Sequence, residues 1–270
     1  MLSLAVLVTT LVVLAGIAAP AIVPHDPFEQ NIIDRLQPPM FMAGGSAAHI
    51  LGTDHLGRDI LARLVYGARI ALAVGGLAVA VSATLGLVIA LVGGYYGGAA
   101  DAVLMRFLDI QLSMPFMLLA LAIVGIYGPS LINIIMVLTI TGWVVYARVV
   151  RAEVLSLRSR EFVVACRSLG GSNLRIIVRH ILPNVVPSVV ILAALEIGRM
   201  MLLESALSFL GLGIRPPNPS WGSMLADGRA YVASAWWLAT CPGLAVSFTV
   251  LSLNIVADRL RDVLDSSVEA

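Results

Sequence analysis

Long apolar runs separated by short polar breaks dominate the chain, and their lengths are those of helices that cross a bilayer. A hydrocarbon core takes roughly 20 residues of helix, because only a helix or a closed barrel satisfies every backbone N–H and C=O without water. Six runs meet this requirement: 2–23, 70–94, 107–127, 131–146, 185–207 and 235–257. The first holds no charged residue and stops at Pro20, Pro24 and Pro27. It has no basic leader and is too long for a cleaved signal peptide, so it is expected to remain as a helix. The chain starts directly at the membrane, which leaves a true start upstream of Met1 open. The second run is rich in Gly and Ala, with Gly75, Gly76 and Gly86 offering close helix contacts. Pro115 interrupts the third. The turn Gly128-Pro129-Ser130 is so short that the third and fourth must be antiparallel. The sixth is entered through Trp236 and Trp237, expected at interface level. The reading is an all-α, multi-pass membrane protein of six transmembrane helices. Its parts are a first helix (1–23), an extracytoplasmic region (24–68), a five-helix core (69–257) and a cytoplasmic tail (258–270).

Composition agrees: 59% of the 270 residues are hydrophobic, 12% are charged, and the mean hydropathy is +0.96, which excludes a soluble globular domain. All 17 basic residues are arginine. Without a lysine the chain holds no P-loop and no lysine-based catalysis. Placing the N-terminus inside puts Arg106, Arg148, Arg151, Arg158, Arg160, Arg167, Arg175, Arg179, Arg259 and Arg261 on the cytoplasmic side. The positive-inside rule therefore predicts both termini in the cytoplasm of a cell-membrane protein. Cys166 and Cys241, with His25, His49, His55 and His180, show no metal-ligand spacing, so no metal site is expected.

The most informative polar segment is 147–183. Val150, Val154 and Leu157 share a helical face and extend the fourth span into the cytoplasm. Ser159 is placed to cap a short helix from Arg160 to Leu169, which Gly170-Gly171 ends. Phe162, Cys166 and Leu169 form an apolar stripe at i, i+4, i+7, with Arg160, Glu161 and Arg167 beside it. Ser172 or Asn173 then caps a helix through Arg175 and His180 to Pro183. An amphipathic helix held on two arms has the shape to press into a groove on a cytoplasmic partner.

The run Arg160-Glu161-Phe162-Val163-Val164-Ala165-Cys166-Arg167-Ser168-Leu169-Gly170, continuing to His180-Ile181-Leu182-Pro183-Asn184, resembles the EAA loop of binding-protein-dependent ABC importer permeases. Ala165, Gly170 and Leu182-Pro183 match that loop. Val164 stands where the motif has its glutamate, with Glu161 one turn earlier as a partial substitute, and Cys166 replaces an alanine. The resemblance extends to Leu51-Gly52-Thr53-Asp54-His55-Leu56-Gly57-Arg58-Asp59, to Gly93-Gly94-Tyr95-Tyr96-Gly97-Gly98, and to Ser208-Phe209-Leu210-Gly211-Leu212-Gly213 leading into Pro216-Pro217-Asn218-Pro219-Ser220-Trp221-Gly222. These are similar to the C-type permease subunits of the dipeptide, oligopeptide and nickel group. The resemblance implies the type I ABC importer transmembrane fold and a coupling helix that docks on an ATPase. It also implies a second, B-type permease, two ABC ATPases holding ATP and Mg, and an extracytoplasmic substrate-binding protein. No cofactor in this chain and no nucleic acid are implied. Dipeptides, longer peptides, nickel chelates and haem-like cargo all remain open as substrate.

Glu196, Arg199 and Glu204 fall inside the fifth span, where an ionised group costs on the order of 3 kcal/mol. They either line a translocation path or form a structural pair between packed helices. Asp109, beside Arg106, reads as interfacial structure, and His180 as a helix C-terminal charge. The Pro-rich stretch within 209–234 is too irregular to span and suggests a compact extracytoplasmic element. An ion-coupled secondary transporter built on Glu196, Arg199 and Glu204 is the competing class, against which stand the six spans and the lack of an inverted repeat. An intramembrane hydrolase finds no carboxylate pair or Ser/His pair at membrane depth.

Overall fold

The computed structural model describes residues 2–266. The chain forms helices α1 (Leu2–Ile17), α2 (Ala19–Ile22), α3 (Ile60–Tyr96), α4 (Gly98–Ser113), α5 (Phe116–Tyr127), α6 (Leu131–Leu157), α7 (Glu161–Ser168), α8 (Asn173–Ile176), α9 (Leu182–Phe209), α10 (Trp221–Gly228) and α11 (Trp237–Ser266). Among the described residues, four helical stretches are long and apolar enough to cross a membrane: Ile60–Tyr96, Leu131–Leu157, Asn173–Phe209 and Trp237–Val263. The other two expected spans are different in kind. Helices α4 and α5 meet at an 87° bend, because the residue before a proline is pushed out of the α region; Met114, ahead of Pro115, sits at φ −90°, ψ 120°. Helix α1 has 16 residues, about 24 Å at 1.5 Å per residue, which is shorter than the run 2–23 suggested. The tail placed at 258–270 continues α11 to Ser266, and its last four positions lie outside the described residues.

The centre of the fold is the contact between α3 and α6. Ser82 lies against Gly142, Gly86 against Tyr146 and Gly94 against Val154. Each pair is offset by the same 60 positions, so the two helices run parallel. Parallel neighbours need a return crossing between them, and α4 with α5 supplies it despite the bend. A Cβ on Gly86 would sit 2.5 Å from Tyr146 Cβ and 2.6 Å from the Trp143 carbonyl oxygen, so only glycine permits this approach. Gly75 packs on Met201, whereas a Cβ on Gly76 would meet nothing within 4 Å. Around this pair the core stacks in layers: Ile60, Met201, Trp221 and Trp237 toward α10, Val74, Leu138, Met200 and Leu207 in the middle, and Tyr95, Val154, Val163 and Ile181 toward α7.

Residues 23–59 form no long helix, only the short turn Ile32–Asp34, and buried polar contacts hold them. The Asp54 carboxylate accepts the backbone N–H groups of Leu56 (2.8 Å) and Arg58 (3.0 Å), Nε of Arg58 (2.7 Å), and a guanidinium nitrogen of Arg63. Asp54, Arg58 and Arg63 are all buried, and Asp227 of α10 approaches both arginines at 3.5 and 3.7 Å. Burial works to raise the Asp54 carboxyl, but the Arg63 and Arg58 guanidiniums and the two N–H groups outweigh it and hold it below the usual carboxylate range. Indole Nε1 of Trp237 donates to the Thr53 carbonyl (3.2 Å) and that of Trp221 to the Leu64 carbonyl (2.9 Å). Trp237 is therefore a buried tie beneath this segment and not an anchor at the membrane interface; its neighbour Trp236 is exposed.

Gly86→Ala is expected to cost about 1–3 kcal/mol through overpacking, read as a lower melting temperature in detergent, while Gly76→Ala leaves it unchanged. Equal shifts for the two would contradict the packing described. Breaking the buried cluster by Asp54→Asn should cost roughly 3–5 kcal/mol near neutrality. Because Asp54 is held low, its contribution is complete above about pH 4 and is lost as pH falls through the depressed value. Melting curves of wild type and variant should therefore converge on acidification.

Candidate functional site

Helix α7 places its polar and apolar residues on a short, well-ended rod. Glu161 lies in its first turn and Arg167 in its last, the arrangement its dipole favours. Its C-terminus is a Schellman motif: Gly171 N–H donates to the Cys166 carbonyl and Gly170 N–H to the Arg167 carbonyl, both at 3.0 Å, with Gly170 at φ +81°. The N-terminus departs from expectation. Ser159 does not cap α7; its hydroxyl donates to the Ser156 carbonyl (2.8 Å) and finishes α6, so α7 begins at Glu161 without a side-chain cap.

The side of α7 that packs inward is carried by Val163, fully buried among Leu91, Tyr95, Val154 and Ile176, with Cys166 against the same cluster. Phe162 and Leu169 face outward instead, 45% and 89% exposed, joined by Val164 and by Leu174 of α8. The Phe162–Cys166–Leu169 stripe is thus split, with its middle member inward and its ends exposed, although the Phe162 ring meets the His180 ring at 6.4 Å between centres. Glu161, Ala165, Arg167 and Gly170 are exposed beside them. The arms are braced. Arg151 of α6 makes a two-pronged pair with Asp101 of α4 (2.5 and 2.6 Å), Arg158 donates to the Gly94 carbonyl (2.9 Å), and the Tyr95 hydroxyl donates to Asn173 (2.9 Å). The guanidinium of Arg167 sits 5.5 Å from the Tyr95 ring centre.

The second arm does not stop at Pro183. Ser172 caps α8 by accepting Arg175 N–H, a π turn covers Ile177–Ile181, and the helix passes directly into α9, giving one rod from Asn173 to Phe209. The π turn explains how a proline is tolerated. Leu182 N–H reaches back five residues to the Ile177 carbonyl, and the side chain of Asn184 donates to the His180 carbonyl (2.6 Å), so the register shift absorbs the N–H that Pro183 lacks. His180 lies within this turn with Nε2 3.6 Å from the Cys166 sulfur. Leu182 is half-buried and Pro183 exposed.

In α9 the three charged residues separate. Both oxygens of Glu196 accept from one guanidinium nitrogen of Arg199 at 3.0 Å; Glu196 is buried, whereas the Arg199 side chain is 52% exposed. Glu204 is wholly buried. It accepts from the hydroxyls of Ser208 (2.7 Å) and Ser205 (3.4 Å) and bonds Ser220, whose own oxygen caps α10. The Pro-rich stretch after α9 is thus organised around α10, closed by a reciprocal Ser220/Ser223 capping box. Asp109 pairs with Arg148 at 3.7 Å across two exposed side chains, not with Arg106.

Two clusters escaped sequence reasoning. Asp54, Arg58 and Arg63 are visible as an Asp-x3-Arg-x4-Arg spacing, but their partner Asp227 is far away in the chain. His25, His49 and Asp59 come together although their spacing fits no ligand motif.

Residues 60–270 match the family model described as binding-protein-dependent transport system inner membrane component. The chain is 41% identical over 259 residues to the di/tripeptide transport system permease protein DppC of Pseudomonas aeruginosa, covering 96% of this chain and 86% of that protein. It is 42% identical to the dipeptide transport system permease proteins DppC of Alkalihalophilus pseudofirmus, covering 98% and 85%, and of Escherichia coli, covering 96% and 86%. Among solved structures, an inward-facing MetNI methionine ABC transporter chain superposes with a TM-score of 0.59 at 17% identity, over 75% of this chain and 96% of that one, a likeness of fold. The chain belongs to the inner membrane components of binding-protein-dependent transport systems.

Proposed function

We propose that this chain is the C-type permease of an ATP-driven importer of dipeptides or short oligopeptides, and that α7 is the element through which separate ATPases drive it. The observation that carries the reading is the outward apolar end of α7, Phe162 and Leu169, presented on two braced arms. Exposed apolar side chains beyond the membrane spans, ringed by Arg160, Glu161 and Arg167, suit a groove on a protein partner better than water or lipid. Glu161 at the helix start takes the acidic role that Val164 leaves vacant. ATP and Mg then reside on the two ATPases. Closure of those ATPases draws this helix and that of a B-type permease together, and the spans rock between outward- and inward-open states.

In this reading the six crossings are α1 with α2, α3, the bent α4–α5, α6, α8–α9 and α11, with both termini and α7 cytoplasmic. Residues 24–59 and α10 face the extracytoplasmic binding protein. Arg199, backed by Glu196, is the charged group of α9 with a free face, and we assign it to the pathway shared with the second permease. Glu204, sealed against three serines, we assign to anchoring α10.

Uptake of a labelled dipeptide into vesicles should be abolished by vanadate and indifferent to a protonophore; the reverse result would mark an ion-coupled carrier. Phe162→Asp or Leu169→Asp is expected to weaken ATPase association about 30-fold, the effect of a 2 kcal/mol interface anchor, with co-purification of the ATPases as the readout. Retained ATPases and undiminished uptake would refute the assignment of α7. Arg199→Gln should lower uptake of acidic peptides several-fold relative to basic ones, and uniform uptake across peptide charge would remove Arg199 from the path.

A further inference from the structure

Residues 23–59 carry a constellation that transport does not use. His25 follows α2, His49 lies midway along the loop, and Asp59 caps α3 by accepting the Ala62 N–H at 2.7 Å. One nitrogen from each ring and one oxygen of Asp59 all lie within 4.8 Å of one another. Nδ1 of His49 is 2.9 Å from Oδ2 of Asp59, and the two imidazole rings lie 5.0 Å apart at 36°. Nε2 of His25 is 2.8 Å from the Ala48 carbonyl. A carbonyl only accepts, so Nε2 carries the proton, the ring is oriented, and the neutral form keeps its lone pair on Nδ1. Asp59 is 5% exposed and His49 15%, so the donors are shielded from bulk water on one side. On the other they open into a cleft of about 190 Å³.

We propose that His25, His49 and Asp59 bind a divalent transition-metal ion of borderline softness, such as Zn²⁺, which ties the loop to the start of α3. Two imidazoles and one carboxylate are the donor set such ions take, with a water or a further oxygen completing the shell. Donors bound tetrahedrally to one ion at about 2.1 Å lie about 3.4 Å apart, so the widest-spaced donors draw in by about an ångström as the ion binds. The ion takes the place of the proton shared between His49 and Asp59. The positive end of the α3 dipole opposes a cation, and the carboxylates of Asp26, Glu29 and Asp34 around the cleft supply the opposing field. Because the three donors come from separated parts of a loop with little regular structure, one ion here restrains the whole segment.

The test uses the intact transporter complex purified without a polyhistidine tag, stripped by chelator and titrated with Zn²⁺ against a competing indicator. Wild type should take up one equivalent more than the His25→Gln/His49→Gln complex, and each single replacement should weaken that site more than about tenfold. X-ray absorption at the zinc edge should show imidazole scattering from two rings in the wild-type complex, a readout that stands even where a variant fails to assemble. Equal uptake by wild type and double variant, or a zinc spectrum without imidazole, would overturn the proposal.

Discussion

Two parallel helices that touch through glycine set the terms for the rest of the molecule. With Gly86 against the backbone of Trp143 and Gly142 against Ser82, α3 and α6 approach more closely than side chains ordinarily allow, and dispersion across that contact replaces a hydrophobic force that lipid does not supply. Their shared direction obliges the chain to cross back between them. It does so through α4 and α5, which lie outside the central contact and can be bent without disturbing it. Of the remaining long helices, α9 packs on the pair and α11 packs on α9 and α1, and polar groups at the two ends are mounted on the pair: Asp59 and Arg63 at the start of α3, Tyr95 at its finish, Arg151 and Arg158 on the last turns of α6.

The two ends are stabilised by different chemistry. At the α10 end a loop with almost no regular structure is fixed by a buried carboxylate between two guanidiniums and by the Trp237 indole N–H on the Thr53 carbonyl. Such a cluster holds geometry more than it adds stability, since desolvation offsets much of the attraction. At the α7 end the braces are partly exposed, and the apolar anchor is Val163 in a tight pocket. That end resists being pulled apart through packing, yet leaves Phe162 and Leu169 uncovered.

Much of this was legible in the sequence, and the exceptions have physical causes. Four spans, the extension of α6 through Val150 and Val154, and the Gly170 stop follow from period and from glycine's backbone freedom, both local properties. The bend at Pro115 was visible as an interruption, but its angle depends on what α4 and α5 pack against. A serine between two helices can serve either, and the Ser159 hydroxyl goes to the Ser156 carbonyl of α6 and not to the start of α7. Pro183 read as a boundary because the π turn that accommodates it leaves no mark in composition. Trp237 looked like an interface residue until Thr53, remote in sequence, supplied its acceptor. The charges of α9 were found by their cost in a membrane, but which of them is sealed and which is free depends on serines of another element.

The rod from Asn173 to Phe209 has a mechanical consequence. At 37 residues it is about 55 Å long, with its only π turn and Pro183 and Pro187 gathered near the α7 end. Compliance is thus concentrated between Ile177 and Pro187, while the stretch beyond Pro187 is uninterrupted helix. The stiff part carries Glu204, and Glu204 holds Ser220 and with it the first turn of α10. A tilt of the stiff part about that compliant end carries α10 with it, which makes that small helix the pointer on a lever.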